Sequence, residues 1–259
     1  MKGLFDLTGK TALVTGGNGG LGLAYARGMA RQGSDIVIWA RNAQKNAAAV
    51  AELESFGVKA IAMQVDVTDE QQIIDGFAEA VSRVGKIDTV VQNAGFANPA
   101  PSFADISTEQ YREQIDVALN GGFFTLRTAA RYMIERAKAG DPGGSIILCG
   151  SGTMFAGVPG LEHYGAAKAG LSAIMRGMAA ELGVHGIRVN MIAPGYIKTD
   201  IAQGGIEGID EMFASRTPVR RAGRVADVEG AAAYLASDAA SFHSGDILVI
   251  DGGWLANYF

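Results

Sequence analysis

The chain has a single cysteine, Cys149, so no intrachain disulfide can form, and a reducing cytosol is the compartment that fits. Its three histidines, His163, His185 and His243, are scattered and lack ligand spacing, so no catalytic metal is expected. No uninterrupted apolar run approaches the roughly 18 residues of a membrane span. The opening residues, Met1-Lys2-Gly3-Leu4-Phe5-Asp6-Leu7, have no apolar core of signal-peptide length. Basic residues are the minority, 22 against 27 acidic, for a net charge of −5. That balance argues against nucleic acid or another polyanion as the main partner. Linkers, repeats and low-complexity segments are absent; Asp141-Pro142-Gly143-Gly144 is a turn, not a boundary.

What remains is a 259-residue chain that is 48% apolar, enough for one large α/β domain spanning 1–259. Apolar runs near 11–15, 35–39, 58–63, 87–92, 145–150, 187–192 and 246–250 read as buried strands. Amphipathic stretches near 21–32, 43–56, 69–84, 109–138, 162–184 and 225–237 read as helices between them. Continuous apolar strands with helical crossovers imply a doubly wound parallel sheet of about seven strands, helices on both faces. Ligands of such sheets sit at the C-terminal ends of the strands.

Two clusters of residues carry chemistry at those ends. After the first strand comes Thr15-Gly16-Gly17-Asn18-Gly19-Gly20-Leu21-Gly22, and then a helix pattern begins. Strand, glycine loop, helix is the arrangement that brings backbone N–H groups and a helix N-terminus to a pyrophosphate. The spacing Gly16-x-x-x-Gly20-x-Gly22 is not the commonest dinucleotide fingerprint, and taken alone it is also that of a glycine-rich turn. Further along, Tyr164 and Lys168 are four residues apart and share one helix face. An ammonium beside a phenol favours the phenolate, suiting the pair to exchange a proton with an alcohol or ketone. Ser151 ends the strand run 145–149 and is placed to hydrogen-bond the same substrate oxygen.

In order along the chain stand TGGNGGLG (Thr15 to Gly22), VDV (Val65 to Val67), NAG (Asn93 to Gly95), Ser151, Y-x-x-x-K (Tyr164 to Lys168), P-G-x-x-x-T (Pro194 to Thr199) and DGG (Asp251 to Gly253). This series resembles the single-domain short-chain dehydrogenase/reductase family over nearly the whole chain. The resemblance implies a Rossmann-type fold and hydride exchange between nicotinamide and a substrate carbon. It implies Tyr164 as general acid/base, Lys168 holding the nicotinamide ribose and tuning Tyr164, and Ser151 positioning the substrate oxygen. Cofactor contacts are implied at Gly16, Asn18, Gly20, Leu21, Gly22, Asn93, Ala94, Gly95, Pro194, Gly195, Ile197 and Thr199. Asp66 is implied to bond the adenine amino group and Val67 to donate from its backbone; Asp66 is equally a good helix cap. Where NAD enzymes place an acid after the second strand, this chain has Ala40 followed by Arg41. A guanidinium suits a 2′-phosphate, so NADP(H) is favoured and NAD(H) remains possible; the alternative is a solvated Arg41 stacking on adenine.

One position departs from the family pattern. Val117-Ala118-Leu119-Asn120-Gly121 has alanine where the family's V-N-L-x-G asparagine binds a water that links the lysine to solvent. On an α-helix Asn120 lies about 200° away and does not reach that water. Phe96, Met154, Phe155, His163 and Tyr196 are the candidate substrate pocket, His163 at its edge. A lid is expected over about 199–221, with Ile201, Gly204, Gly205, Ile206, Ile209, Met212 and Phe213; the alternative is a surface loop with a short helix. The expected partner is a small carbonyl or alcohol. A 3-oxoacyl-carrier-protein thioester is the rival and requires a basic patch, for which Arg127, Arg131 and Arg136 are the candidates. A cofactor-binding sensor without turnover is the other class, supported by Ala118 alone. A homotetramer is implied, and the aromatic run from Trp254 to Phe259 is expected to dock.

Overall fold

The computed structural model describes residues 3–199 and 208–256. The expected lid residues Ile201, Gly204, Gly205 and Ile206 lie outside that range, as do Asn257, Tyr258 and Phe259. Strand β1 (Thr11–Thr15) is wholly buried, and its alternate residues face opposite layers of helices. Helix α1 (Gly20–Ala30) and strand β2 (Asp35–Trp39) follow, then α2 (Ala43–Glu54), β3 (Ala60–Met63), α3 (Glu70–Val84) and β4 (Thr89–Gln92). Next come α4 (Thr108–Gln114), α5 (Gly121–Lys138), β5 (Gly144–Cys149), α6 (Glu162–Leu182) and β6 (Ile187–Pro194). The chain continues through β7 (Ile197–Lys198), α7 (Ile209–Arg216), β8 (Gly223–Arg224), α8 (Glu229–Ala236) and β9 (Ile247–Ile250).

Seven parallel strands form the main sheet in the order β3-β2-β1-β4-β5-β6-β9, and β7 pairs with β8 in a separate ribbon. Ala12, Val14, Ile36, Ile38 and Ile147 pack on one side against α1, α2 and α8, through Met29, Leu53 and Leu235. Leu13, Val37, Val90, Ile146 and Leu148 pack on the other side against α3, α5 and α6, through Phe77, Leu126 and Leu171. The one-residue alternation is the period of a strand, so a single apolar run feeds both cores. Chain order reverses between β1 and β4, which opens a crevice at the C-terminal ends of these strands.

Local chemistry sets the helix ends. Asp69 caps α3 by accepting from Gln71 N and Gln72 N, and Gly85, at φ 82°, stops it. Ser107 and Gln110 form a reciprocal capping box on α4. The sequence pattern predicts one uninterrupted helix over 109–138, and here the structure differs. Residues Ile115–Asn120 form a π-helical stretch between α4 and α5. The wider turn coincides with two crowded glycines. A methyl on Gly121 would lie 2.6 Å from Val67 O, and one on Gly122 would lie 2.9 Å from Leu171 Cδ2. The helix is pressed from both sides there, and the extra residue per turn changes which side chains share its buried face.

Candidate active site

The glycine loop sits at the crevice in a shape that fits a dinucleotide. Gly16 and Gly20 hold φ of 63° and 50°, which disfavours any side chain. A methyl on Gly22 would stand 2.2 Å from the Gly16 carbonyl oxygen, whereas one on Gly19 meets nothing within 4 Å. No side chain caps the start of α1, and its first turn has no acidic residue. The leading N–H groups and the positive end of the helix are therefore available to an anion. Thr199 stands across the loop, its methyl 3.7 Å from where a Gly20 Cβ would be.

Asn93 ties the two strands flanking the crevice. Its Nδ2 donates to Thr15 O at 3.0 Å and to Gly16 O at 3.3 Å. Thr15 Oγ1 accepts from the backbone N–H groups of Asn93 and Ala94, both at 3.0 Å. The sequence marks Thr15 only as the first letter of a motif; its bracing role appears once β1 and β4 are neighbours. Asn18 Nδ2 donates to Asn46 Oδ1 at 2.8 Å, and Asn46 Nδ2 in turn donates to the Ala40 carbonyl at 3.0 Å. Asn46, on α2, thus links the glycine loop to the end of β2 and was not visible as a site residue.

Arg41 and Asp66 stand together at the outer end of the crevice, Nη1 to Oδ2 at 3.7 Å, with the arginine side chain 77% exposed. Asp66 does not cap α3, a task that Asp69 performs. Its Oδ1 accepts from Thr68 N at 3.0 Å and Thr68 Oγ1 at 2.8 Å, which orders the turn before the helix. Burial pushes the Asp66 carboxyl up, but the Thr68 hydrogen bonds and Arg41 outweigh it and hold the group below its ordinary value. Val67 is buried, and its carbonyl packs against Gly121. At the other end of the crevice Pro194 closes β6, Gly195 N donates to Ile250 O at 2.9 Å, and Ile197 is buried in β7. A methyl on Gly195 would strike Asp251 Cβ at 2.6 Å, so the Pro194-Gly195 and Asp251-Gly252-Gly253 motifs are in contact.

Tyr164 and Lys168 on α6 stand beside the end of β5, and Ser151 follows that strand. Lys168 is 2% exposed, and its Nζ donates to the Cys149 carbonyl at 2.7 Å. That Nζ lies 5.8 Å from the centre of the Tyr164 ring. Ser151 opens a short 3₁₀ turn, and its Oγ accepts from Thr153 N at 3.2 Å and Thr153 Oγ1 at 3.0 Å. A hydroxyl has two lone pairs and one hydrogen. With two donors on its oxygen, Ser151 is left to donate. Gly95 lies beside this cluster: a Cβ there would be 3.7 Å from Lys168 Nζ and 3.9 Å from Ala118 Cβ.

The pocket residues do not all behave as the sequence suggests. His163 is 3% exposed and faces inward on α6, so it does not line an open pocket edge. Its neighbour Tyr164, about 100° round the helix, is partly buried. Phe155 is half-exposed, and Phe96 and Met154 are partly buried. Tyr196 stacks on Phe213 with centroids 4.3 Å apart and donates to Asp210 Oδ1 at 2.7 Å. Burial and then the Asp210 carboxylate push the Tyr196 phenol up to about 12. The terminal aromatics dock on their own chain as far as Trp254: Gly152, if it carried a methyl, would place it 3.6 Å from that ring. Asn120 donates to the exposed Asp116 at 2.8 Å, away from Lys168. Among the described residues no helix is long and apolar enough to cross a membrane, and no cluster could hold a metal ion.

Residues 16–255 match the family model described as enoyl-(acyl carrier protein) reductase. The chain is 36% identical over 252 residues to gluconate 5-dehydrogenase of Gluconobacter oxydans, covering 96% of both chains. It is 37% identical over 254 residues to L-rhamnose 1-dehydrogenase (NAD(P)(+)) of a Sphingomonas species, covering 97% of this chain and 98% of the other. Its fold superposes with a TM-score of 0.90 and 34% identity on a gluconate 5-dehydrogenase from Burkholderia cenocepacia solved with NADP and tartrate, over 98% of each chain. The braced glycine loop, the Ser151, Tyr164 and Lys168 cluster and these similarities agree: the chain belongs to the short-chain dehydrogenase/reductase family and is an NAD(P)(H)-dependent oxidoreductase that interconverts carbonyl and alcohol.

Proposed function

We propose that the chain interconverts a ketone and an alcohol on a sugar, sugar acid or similar polyol, with NADP(H) preferred to NAD(H). The observation that carries this reading is Lys168, beside Tyr164, reaching the Cys149 carbonyl at the strand end that Ser151 follows, with an uncapped glycine loop at the same sheet edge. The sugar class rests on the relatives, which are named as gluconate and rhamnose dehydrogenases. The loop from Gly16 through Gly22 would hold the pyrophosphate, Asp66 and Val67 the adenine, and Ile197 and Thr199 the carboxamide end; Pro194, Gly195, Asn93, Ala94 and Gly95 shape the floor. When bound, the nicotinamide supplies or accepts the hydride. In reduction the Tyr164 hydroxyl gives its proton to the carbonyl oxygen while Ser151 donates a hydrogen bond to the same atom; in oxidation Tyr164 takes that proton back. Lys168 would hold the ribose.

Two of the three arginines that the thioester rival would use are engaged within the chain, and Arg131 is exposed. Arg127 pairs with Glu70, and Arg136 is turned to the Ile87 and Gly143 carbonyls at 2.7 and 3.0 Å. A tetramer in the cytosol, built from one domain carrying cofactor and substrate together, completes the reading. NADPH and NADH oxidation, followed by absorbance against keto-sugars, simple ketones and acyl thioesters, tests it. Turnover with keto-sugars supports the reading. Turnover confined to thioesters refutes the substrate class, and NADPH binding with no turnover on any carbonyl returns weight to the sensor.

Arg41 gives a separate expectation. Arg41→Ala should raise the KM for NADPH by about tenfold or more, the worth of a charge-assisted hydrogen bond, and leave that for NADH within about twofold. Equal effects on both cofactors would show that Arg41 stacks on adenine instead.

A further inference from the structure

The substrate side of the crevice is short of positive charge. The stretches that flank the strand ends there are 93–111, 150–167, 194–215 and 250–259, and together they contain one lysine, Lys198, and no arginine. The third of them carries Asp200, Glu207, Asp210 and Glu211. The flanking Arg112 and Arg216 are both exposed, and Lys168 is buried against the Cys149 carbonyl. Asp251 accepts from Gly253 N and Leu255 N, both at 2.8 Å, and lies against Gly195. A carboxylate that leaves water for such a site needs a cation or several aimed N–H groups, because an unpaired ion is costly to bury.

Lys198 is already engaged. Its Nζ pairs with Asp210 Oδ2, and Asp210 Oδ1 accepts from the Tyr196 hydroxyl at 2.7 Å. Each partner keeps the other charged: the Lys198 bond holds the Asp210 carboxyl below its ordinary value, and Asp210 lifts the Lys198 ammonium above its own. The pair is ionised and carries no net charge. From it an aromatic row leads to Ser151. Tyr196 stacks on Phe213 at 4.3 Å, and Phe213 leans on Trp254 with centroids 6.3 Å apart. A Cβ on Gly152, the residue after Ser151, would lie 3.6 Å from the Trp254 ring. The far end of α7 is held as well. A methyl on Gly252 would strike Thr217 Cγ2 at 2.6 Å, and Val219 N donates to Gly252 O at 3.2 Å. The helix that carries Asp210 and Phe213 is thus fixed at both ends beside Ser151, with flat apolar surface and few polar groups, the usual lining of a small-molecule pocket.

We propose that the site takes uncharged sugars and polyols and turns away sugar acids, with Asp210 as the specificity-determining residue because it neutralises the cation that an acid would use. The proposal rests on the proposed function and narrows its substrate class. An uncharged sugar lays its C–H face on the wall of Tyr196, Phe213 and Trp254 and turns hydroxyls to Ser151 and to water. Its acid counterpart brings a carboxylate to a stretch rich in acidic side chains while Lys198 is already paired, a like-charge encounter that salt screens. Asp210→Asn keeps an oxygen for the Tyr196 hydroxyl and removes the charge, which leaves Lys198 to pair with a substrate carboxylate.

The test measures kcat and KM for matched pairs of substrates: L-sorbose with 5-keto-D-gluconate in reduction by NADPH, and D-glucose with D-glucuronate in oxidation by NADP⁺. Within each pair the carbon chain and its configuration are the same, and a terminal CH₂OH is exchanged for a carboxylate. The parent should favour the uncharged member by about tenfold or more in kcat/KM, chiefly through KM, the scale of one unfavourable ionic contact. Added salt should narrow that gap. In Asp210→Asn the acid-to-neutral ratio of kcat/KM should rise by about tenfold, and Lys198→Met in that background should return it to the parental value. A merely structural Asp210 would change both members of a pair alike, and an unmoved ratio overturns its assignment. If Asp210→Asn does not fold, judged by its thermal midpoint, Lys198→Met alone carries the decision: the ratio should fall further as Asp210 is left unpaired, and a rise overturns the proposal. Equal or better use of the acids by the parent overturns the proposal and leaves the proposed function standing. Turnover of neither member of either pair defeats the proposal and the sugar class together.

Discussion

Tyr164→Phe should lower kcat by about 10² to 10⁴, the range of a lost general acid/base, while the protein still binds NADPH. The substitution removes one oxygen and keeps the ring that lies 5.8 Å from Lys168 Nζ. Lys168 keeps its bond to the Cys149 carbonyl, and the glycine loop is untouched. Binding and chemistry should therefore separate, with NADPH affinity within about twofold and the loss confined to turnover. Ser151→Ala makes a useful companion. Its Oγ is the acceptor of two Thr153 hydrogen bonds, so the variant loses both a donor to substrate and the order of the turn Gly152–Met154. It should raise KM as well as lower kcat. A Tyr164→Phe enzyme with more than about a tenth of parental kcat would remove Tyr164 from the proton transfer.

Gly22→Ala should damage fold and cofactor binding together. The added methyl would stand 2.2 Å from Gly16 O, 2.5 Å from Asn93 Nδ2 and 2.8 Å from Gly16 C. None of these atoms is the free end of a flexible side chain. Asn93 Nδ2 is committed to the Thr15 and Gly16 carbonyls, and Gly16 N is bonded to Trp39 O at 2.7 Å. Relief requires the loop to leave β1. Overpacking of this kind costs about 1–3 kcal/mol or more, roughly 2–4 °C of Tm for each kcal/mol in a chain of this size. NADPH affinity should fall more than tenfold in a fluorescence titration, about 1.4 kcal/mol. Gly19→Ala is the control. A methyl there meets nothing within 4 Å, and the Gly19 φ of −177° is open to any residue. Its Tm should match the parent, and its NADPH affinity should drop only if that open space is where the phosphates lie. A Gly22→Ala protein with parental Tm and NADPH affinity would contradict the close approach.

The strands and most helices were legible because their signals are local. Apolar runs such as Ala12-Leu13-Val14 feed both faces of a strand, and Asp69 and Gly85 mark the ends of α3 within a few residues. The positions of the glycine loop, Ser151, Tyr164 and Lys168 were readable for the same reason: each depends on residue type and on spacing along one strand–loop–helix unit. Asp66 was half legible, since an aspartate before a helix caps or bonds a ligand equally well. The nearby Asp69 takes the cap and leaves Asp66 to Thr68 and Arg41.

By itself the sequence determined the parallel α/β sheet and the crevice end at which the motifs gather. Tertiary structure alone decided the rest. The π-helical stretch at Ile115–Asn120 stands just before Gly121 and Gly122, where the helix comes close to Val67 and Leu171, residues far away in sequence. On the same helix Gln114 is buried and Asn120 turns out to Asp116. His163, expected at a pocket rim, is buried. The bracing of the loop by Thr15, Asn46 and Asn93 likewise exists only once β1, β4 and α2 are side by side. Hydrogen-bond partners and burial are properties of neighbours in space, and a one-dimensional pattern records them only where those neighbours are also close along the chain.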